Sequence, residues 1–395
     1  MKLKVIFFIS EIVSKGINFS ILILLPFIIS AEVYGDLALA WTIDLILVEL
    51  IGFGQTHFII RNYSEVVDRN LLIVNSILII FTGAVVSLLF SSIFEISQSS
   101  VSMALLITSS AFQAIVNIVT TEYRVTDQVI AYSKLRLVSS LGKFLIYFLV
   151  SYNYNLFSNI SIIYYLLIVF SIIIIGVKVL RRIKVVIWSV QSFLIQYKQT
   201  ASVFLHVVAG ILLVSADKLI APHFFTIDMV GKYIFNLQLV GGSFIAVNLI
   251  SIWILPRAFI KQSRTKRYLV SFLSWGLAVT VVYNLLFHFV GIWIIGLFRP
   301  YYVLPFDSYY ALYLITILVV FQNYLYYLFL WRNKVYLEAF WTTIVSLIIA
   351  LSYRFWNVLD LYDLLKYVIL YNLLMILGAI ALYRYVSKGG LHFIR

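Results

Sequence analysis

The sequence predicts an all-α membrane protein with about twelve transmembrane helices. Of its 395 residues, 63% are hydrophobic and 11% are charged, and the mean hydropathy is +1.04. A soluble domain carries roughly 25% charged and about 45–50% apolar residues, so lipid must solvate most of this surface. Apolar runs of about 20 residues recur, enough to cross about 30 Å as helix, without the alternation of barrel strands.

Lysine and arginine concentrate in alternate connecting segments, which is typical of cytoplasmic loops. The predicted spans are residues 4–30, 37–60, 71–94, 101–121, 135–151, 160–180, 201–225, 231–256, 268–298, 308–331, 338–353 and 364–386. With the N-terminus in the cytoplasm, the outer segments hold only Lys232, Arg299, Arg354 and Lys366. Both termini are therefore expected to be cytoplasmic. The net charge of +13 is assigned to inner loops rather than to nucleic-acid binding.

Residue usage argues against several chemistries. The chain has no cysteine, which excludes disulfides, thiolate zinc sites and cysteine-ligated iron–sulfur clusters. No nucleotide-binding loop, metal cluster or nucleophile–base arrangement stands out, so we expect no cofactor, no metal and no enzymatic activity. The apolar segment after Lys4 lacks a small-residue cleavage motif, which favours a retained first span over a signal peptide.

The two halves of the chain share a spacing at corresponding places. The first span ends with Pro26, Ser30, Glu32 and Gly35, and the seventh with Pro222, Thr226, Asp228 and Gly231. Each residue of the second set follows its counterpart by 196 positions (222 minus 26), as Arg257 follows Arg61. Six spans separate the copies, and because six is even both copies enter the membrane from the same side.

This parallel duplication predicts two six-helix lobes around a central cleft. The lobes are residues 1–180 and 201–395, and residues 181–200 form a cytoplasmic linker that is either a plain connection or an amphipathic helix. Paired lobes suit alternating access, in which the cleft opens to each side in turn. The alternative is an old duplication that no longer serves transport.

Short motifs identify a family resemblance over most of the chain. They are Ser14-Lys15-Gly16, Pro26, Val33-Tyr34-Gly35, Gly52-Phe53-Gly54 and Arg61, then Ser215-Ala216-Asp217-Lys218-Leu219-Ile220 and Val230-Gly231-Lys232-Tyr233. The sequence resembles Wzx-type polysaccharide flippases of the multidrug/oligosaccharidyl-lipid/polysaccharide exporter superfamily. These motifs are short, so they indicate the superfamily more sharply than the substrate.

The resemblance implies a function in the bacterial cytoplasmic (inner) membrane. Such proteins move an oligosaccharide linked to undecaprenyl pyrophosphate from the inner to the outer leaflet, for O-antigen, lipopolysaccharide or capsule assembly. The implied partners are that lipid-linked oligosaccharide, membrane lipid, a proton or sodium ion, and a glycan polymerase. The rival interpretations are a multidrug exporter of the same superfamily, a polytopic enzyme such as a glycan polymerase, and a non-transporting scaffold.

Ionisable residues inside spans are costly and usually face a polar cavity or a partner. Glu11, Lys15 and Asn18 share one face of the first span at positions i, i+4 and i+7. They are predicted to line the cleft and bind substrate. The alternative is that Glu11 and Lys15 merely pair with each other.

Further candidates for substrate binding lie in other spans. They are Lys143 in the fifth span, His206, Asp217 and Lys218 in the seventh, and Arg61 and Arg257 near the cytoplasmic entrance. The lysines would stabilise a pyrophosphate as it crosses a low-dielectric region. His206 is equally explained as a structural hydrogen-bonding residue.

Ion coupling and hinge motion are assigned to two more sets of residues. Glu49, which shares a face with Thr42 and Thr56, is the first candidate for proton or sodium coupling, and Asp44 is the second. Asp44 alternatively pairs with Lys143, and both acids alternatively only brace the lobe. The hinge candidates are Pro26, Gly35, Pro222 and Gly231.

Overall fold

The chain is almost entirely helical where a computed structural model describes it. The described residues are 2–62, 69–93, 100–152, 161–183, 189–260, 265–331 and 335–387. Their helices are α1 (Lys2–Leu24), α2 (Ala31–Gly52), α3 (Gln55–Asn62), α4 (Arg69–Ile93), α5 (Ser100–Val125), α6 (Val129–Tyr152), α7 (Ser161–Ile183), α8 (Val190–Ile220), α9 (Ile227–Val240), α10 (Ser243–Ile260), α11 (Thr265–Leu286), α12 (Ile292–Phe298), α13 (Phe306–Trp331), α14 (Val335–Ser352) and α15 (Leu361–Ser387).

The predicted all-α membrane fold is confirmed. Every predicted span falls on a helix or a consecutive pair of helices. Among the described residues, eight helical stretches are long and apolar enough to cross a membrane, and a ninth is the α9–α10 pair, which bends by 41°. Helix α2 is not among them because its 22 residues carry four carboxylates. Two of these, Asp44 and Glu49, lie well inside the helix. These two carboxylates are the residues that the sequence offers as candidates for ion coupling.

The chain divides into two compact units. Unit 1 consists of Met1–Ile29 and Leu37–Val208, and unit 2 of Ser30–Asp36 and Ala209–Arg395. In unit 1, α1 packs along α6, and α5 packs against α4 and α7. In unit 2, α10 packs along α11, and α13 along α15. Residues 190–200, inside the segment predicted as a linker, form the first turns of α8, whereas 184–188 lie outside the described residues.

The internal repeat is visible in the backbone at two corners. Helix α1 continues into a 3₁₀ turn at Leu25–Phe27, and α8 into one at Ala221–His223, each with proline in its first positions. The residues that follow, Ile28 and Phe224, have matching dihedrals of φ −111°, ψ −37° and φ −114°, ψ −24°. Helices α2 and α9 then begin 196 positions apart. The proline spacing therefore marks a shared three-dimensional corner.

A left-handed turn separates α2 from α3 in unit 1. Phe53 has φ 47° and Gly54 has φ 68°. A positive φ is unusual for phenylalanine, and packing holds it here. Its ring stacks on those of Tyr197 and Phe204 of α8, with centroids 4.5 Å and 4.2 Å away. The first half of α8 is thereby fixed against unit 1.

A buried hydrogen-bond network supports the same attachment. The amide Nε2 of Gln196 donates to Gln55 Oε1 (2.9 Å) and to Ser76 Oγ (2.8 Å). Gln55 Nε2 in turn donates to Thr200 Oγ1 at 3.2 Å. All four side chains are at most 5% exposed. Because a satisfied buried network requires one arrangement of its helices, it specifies how α8 meets α3 and α4.

Candidate functional site

The polar face of α1 packs against α6. Ser133 donates to Ser10 at 2.9 Å, and the hydroxyls of Ser14 and Ser140 are 2.5 Å apart. Asn18 Nδ2 donates to Ser140 Oγ at 3.3 Å. Ser10 and Ser14 are both buried. The predicted polar stripe on the first span therefore exists, and much of it is used to join two helices of unit 1.

Glu11 lies in this polar contact between α1 and α6 and is only 7% exposed. Its Oε1 accepts a hydrogen bond from the Tyr132 hydroxyl and lies 3.5 Å from Nε of Arg136. Among the described residues, the ion pair of Glu11 is thus with α6 and not with Lys15 on its own helix. Sequence reasoning missed Arg136 because it counted this residue among the positive charges of a cytoplasmic segment, whereas α6 begins at Val129 and includes it.

Three cations lie close together in the neighbourhood of Glu11. The positive charges of Arg124 and Arg136 both act on Lys15, as does the negative charge of Glu11. Arg124 lies over the ring of Phe7, with Cζ 5.9 Å from the ring centroid, and Phe7 stacks on Tyr132 at 4.9 Å. We call Lys15, Arg124 and Arg136 the inner cationic cluster.

The inner cationic cluster keeps an excess of positive charge. Glu122, a buried carboxylate two residues before Arg124, is a second acid in this part of α5 and has an interaction partner of its own. Even with Glu122 counted, three cations face two carboxylates. Lys15 is half-buried and the side chain of Arg136 is 32% exposed, so the cluster is partly accessible.

A second charged pair lies further along α6. Seven residues, or about 10 Å of helix, separate Lys143 from Arg136. The charges of Lys143 and Asp44 act on each other, and Arg136 acts on Lys143. Asp44 accepts a hydrogen bond from Ser110 Oγ at 2.5 Å, and the hydroxyl of Tyr147 is near enough to feel its charge. Polar groups therefore continue from the inner cationic cluster toward the middle of α6.

The two predicted coupling acids have different surroundings. Asp44 has the partners just described, whereas half-buried Glu49 has no side-chain hydrogen bond or ion pair within the described ranges. The hydroxyl of Thr42 donates to the carbonyl oxygen of Ala38 at 2.9 Å, so this predicted ion ligand is already engaged with its own helix. Glu49 is therefore a carboxylate without a fixed partner.

Unit 2 holds a buried acid of another kind. Asp217 is 4% exposed, and its Oδ2 accepts a hydrogen bond from Tyr233, which is fully buried. Within the part of the chain that the structure describes, its Oδ1 has no hydrogen-bond partner, and Tyr371 is near enough for the charge of Asp217 to act on it. The adjacent Lys218 is half-buried and forms no ion pair with Asp217 in the described part of the chain. Asp217 is thus paired with tyrosines rather than with cations.

Three predicted site residues cannot be placed by side chain. The backbones of Arg61, His206 and Arg257 lie in α3, α8 and α10, and their side chains are outside the described residues. Within the described ranges, no group of three or more histidine, aspartate or glutamate side chains is arranged to hold a metal ion.

The predicted hinge residues occupy the two corners and one close helix crossing inside unit 2. Pro26 and Pro222 lie in the two 3₁₀ turns. A Cβ on Gly231 would lie 2.5 Å from the carbonyl oxygen of Ala31 and 3.0 Å from the nitrogen of Gly35. A Cβ on Gly35 would overlap the carbonyl of Ile227. The first turns of α2 and α9 thus touch backbone to backbone through equivalent glycines.

Comparison with known proteins finds likeness in structure alone. No protein-family model and no curated protein matches the chain. An inward-facing multidrug resistance MATE family transporter of the MOP superfamily is 10% identical, with a TM-score of 0.67 over 97% of this chain and 96% of that one. The chain has the fold of MOP-superfamily transporters. This is the superfamily that its sequence motifs resemble.

Two further solved structures extend the likeness. The MATE multidrug transporter DinF-BH is 14% identical, with a TM-score of 0.59 over 100% of this chain and 96% of that one. A MOP superfamily transporter from Pyrococcus furiosus, whose binding pocket is described as reversed in polarity, is 13% identical, with a TM-score of 0.57 over 98% and 94%. At these identities, the fold is what is shared.

Proposed function

We propose that this chain is a membrane transporter that binds an amphiphilic substrate in unit 1 and carries it across the bilayer by alternating access. The observation that carries the proposal is the inner cationic cluster, inside a fold whose solved examples are transporters. Arg124 is exposed, and Lys15 and Arg136 are half-buried. Ionisable residues of a membrane protein usually mark a functional site, so this accessible group of three cations requires a purpose. Recognition of an anion is the simplest one.

The substrate that fits best is a lipid-linked oligosaccharide on undecaprenyl pyrophosphate. A pyrophosphate group carries at least about two negative charges, and arginine binds phosphate oxygens in a bidentate manner. Arg136 and Arg124 supply guanidinium groups, and Lys15 supplies a point charge. In this proposal, the chain serves surface polysaccharide assembly, such as O-antigen, from the bacterial inner membrane with both termini in the cytoplasm.

Multidrug export is the second candidate, and the structural comparison favours it. Two of the solved structures above are named as multidrug transporters. A cationic drug would use the carboxylates of unit 1, of which Glu49 has no fixed partner. The sign of the substrate's charge therefore separates the two candidates.

The remaining sequence predictions belong to the same proposal. Asp44 and Glu49 take up a proton or sodium ion. Pro26, Gly35, Pro222 and Gly231 act as hinges of lobes that comprise residues 1–180 and 201–395. Lys143 and Lys218, with Arg61 and Arg257 near the entrance, assist the headgroup of the substrate.

Transport in proteoliposomes tests the proposal. The purified chain is reconstituted, and translocation of a fluorescent undecaprenyl-pyrophosphate oligosaccharide is measured beside the flux of a fluorescent cationic dye. We expect translocation of the lipid in the wild type, a strong loss in Arg136→Gln, and no change in the matched variant Arg267→Gln, whose side chain is exposed at the start of α11. Dye flux without lipid translocation would establish multidrug export instead, and absence of both fluxes would contradict a transporter of either kind.

A further inference from the structure

The ion pair between Glu11 and Arg136 is loose. Nε of Arg136 lies 3.5 Å from Glu11 Oε1, and this buried nitrogen has no hydrogen-bond partner among the described residues. By contrast, the exposed pair of Lys366 and Asp363 closes to 2.9 Å. An arginine that holds its carboxylate this loosely retains donors for another anion.

Glu11 has a second hydrogen-bonding group that does not depend on Arg136. The hydroxyl of Tyr132 donates to the same Oε1, and Tyr132 is 5% exposed. If an incoming anion bound Arg136, Glu11 would therefore still accept the hydrogen bond from Tyr132. The cost of displacing Glu11 from Arg136 is correspondingly lower than for a carboxylate with one partner.

We propose that Glu11 is a resident anion that occupies Arg136 in the substrate-free protein and is displaced by the diphosphate group of the substrate. The inference rests on the proposed function. The sequence predicted that Glu11 binds the substrate, whereas in this inference Glu11 competes with the substrate for Arg136. Because the carboxylate neutralises part of the inner cationic cluster, a weakly charged anion gains too little there. Glu11 thereby weakens the binding of every anion, so that a multiply charged group such as a diphosphate is needed to occupy the site.

Anion binding to the full chain in nanodiscs tests this role. Dissociation constants for inorganic pyrophosphate and inorganic phosphate are measured by calorimetry, and those for farnesyl pyrophosphate and farnesyl monophosphate by the same method. In Glu11→Gln we expect pyrophosphate to bind about tenfold more tightly, since the competing charge-assisted contact is gone. Phosphate should also bind more tightly, and by Coulomb's law its gain should not exceed that of the more highly charged pyrophosphate.

Two further variants control the result. Asp363→Asn removes a carboxylate of unit 2 that pairs with Lys366 at 2.9 Å and belongs to no proposed site, so it should leave all four constants unchanged. Glu11→Asp keeps the negative charge but shortens the side chain that reaches Arg136, so the affinity for the anions should rise less than in Glu11→Gln. This variant also tests the inference if Glu11→Gln folds poorly.

The outcomes distinguish the inference from the proposed function. Unchanged or weaker binding in Glu11→Gln, with pyrophosphate still bound, overturns the resident anion and leaves the anion site intact. Absence of binding of both diphosphates in wild type and variant overturns the anion site and the inference together. The same gain for inorganic and farnesyl pyrophosphate supports a site for the diphosphate group, whereas a gain limited to inorganic pyrophosphate overturns the lipid headgroup as its ligand.

Discussion

Helices α1 and α8 begin the two repeats, and they differ in chemistry while sharing a corner. Both end in a 3₁₀ turn with proline, 196 positions apart. Their buried acids do not follow this register. Glu11 lies fourteen residues before the turn at Leu25, and Asp217 only four before the turn at Ala221. The repeat therefore retains backbone geometry at the corners, and each half has its own arrangement of charge.

The surroundings of the two acids give them different capacities. Glu11 is outnumbered by the inner cationic cluster, so its region attracts anions. Asp217 is bonded to a tyrosine and keeps one oxygen without a donor, so its region attracts a cation or a hydrogen-bond donor. This difference supports the proposal that unit 1 binds an anionic headgroup.

The largest effect is expected where the shared corners are closest. Gly231→Ala places a Cβ against the backbone of α2, which cannot give way as a flexible side chain would. We expect a loss of about 3 kcal/mol in the free energy of unfolding, measured in detergent. The matched change Gly16→Ala adds a Cβ in open space and should be neutral or slightly stabilising. Similar losses in the two variants would contradict a tight crossing.

A smaller loss of stability is expected when the tyrosine that donates to each buried acid is replaced by phenylalanine, and the loss should differ between Tyr233 and Tyr132. Tyr233→Phe leaves both oxygens of Asp217 without a hydrogen bond and should cost about 2 kcal/mol in the free energy of unfolding. Tyr132→Phe leaves Glu11 with Arg136 and should cost about 1 kcal/mol. Thermal unfolding of both variants measures the difference, and a larger loss for Tyr132→Phe would reverse the comparison of the two acids.

The smallest effect on the protein is expected from single cysteines in the loops, which test the membrane topology. Because the chain has no cysteine, single substitutions report sidedness directly. Leu359→Cys, at a position 82% exposed after α14, should react with an impermeant thiol reagent in intact cells. Gln128→Cys, exposed between α5 and α6, should react only after permeabilisation. Ser308, at the outer end of the predicted span 308–331, is 1% exposed and would be a poor reporter. The opposite labelling pattern would reverse the topology.

Composition and spacing predicted the fold better than the site. Apolar length fixes where helices form, and the Pro26–Pro222 offset located the repeated corner. Helix ends are less certain, because polar residues such as Arg136 continue a helix as readily as they begin a loop. The placement of Arg136 against Glu11 depends on how α6 packs on α1, which no local pattern in either helix encodes.

The central claim is that the inner cationic cluster of unit 1 is the main site for an anionic headgroup, and that Lys218 of unit 2 only assists. Translocation of the fluorescent lipid-linked oligosaccharide should be measured in proteoliposomes for Lys15→Gln and Lys218→Gln, which remove one half-buried lysine from each unit. The account predicts at least about a tenfold loss of rate for Lys15→Gln, equal to about 1.4 kcal/mol, and a clearly smaller loss for Lys218→Gln. Equal losses in both variants, or a loss confined to Lys218→Gln, would contradict it.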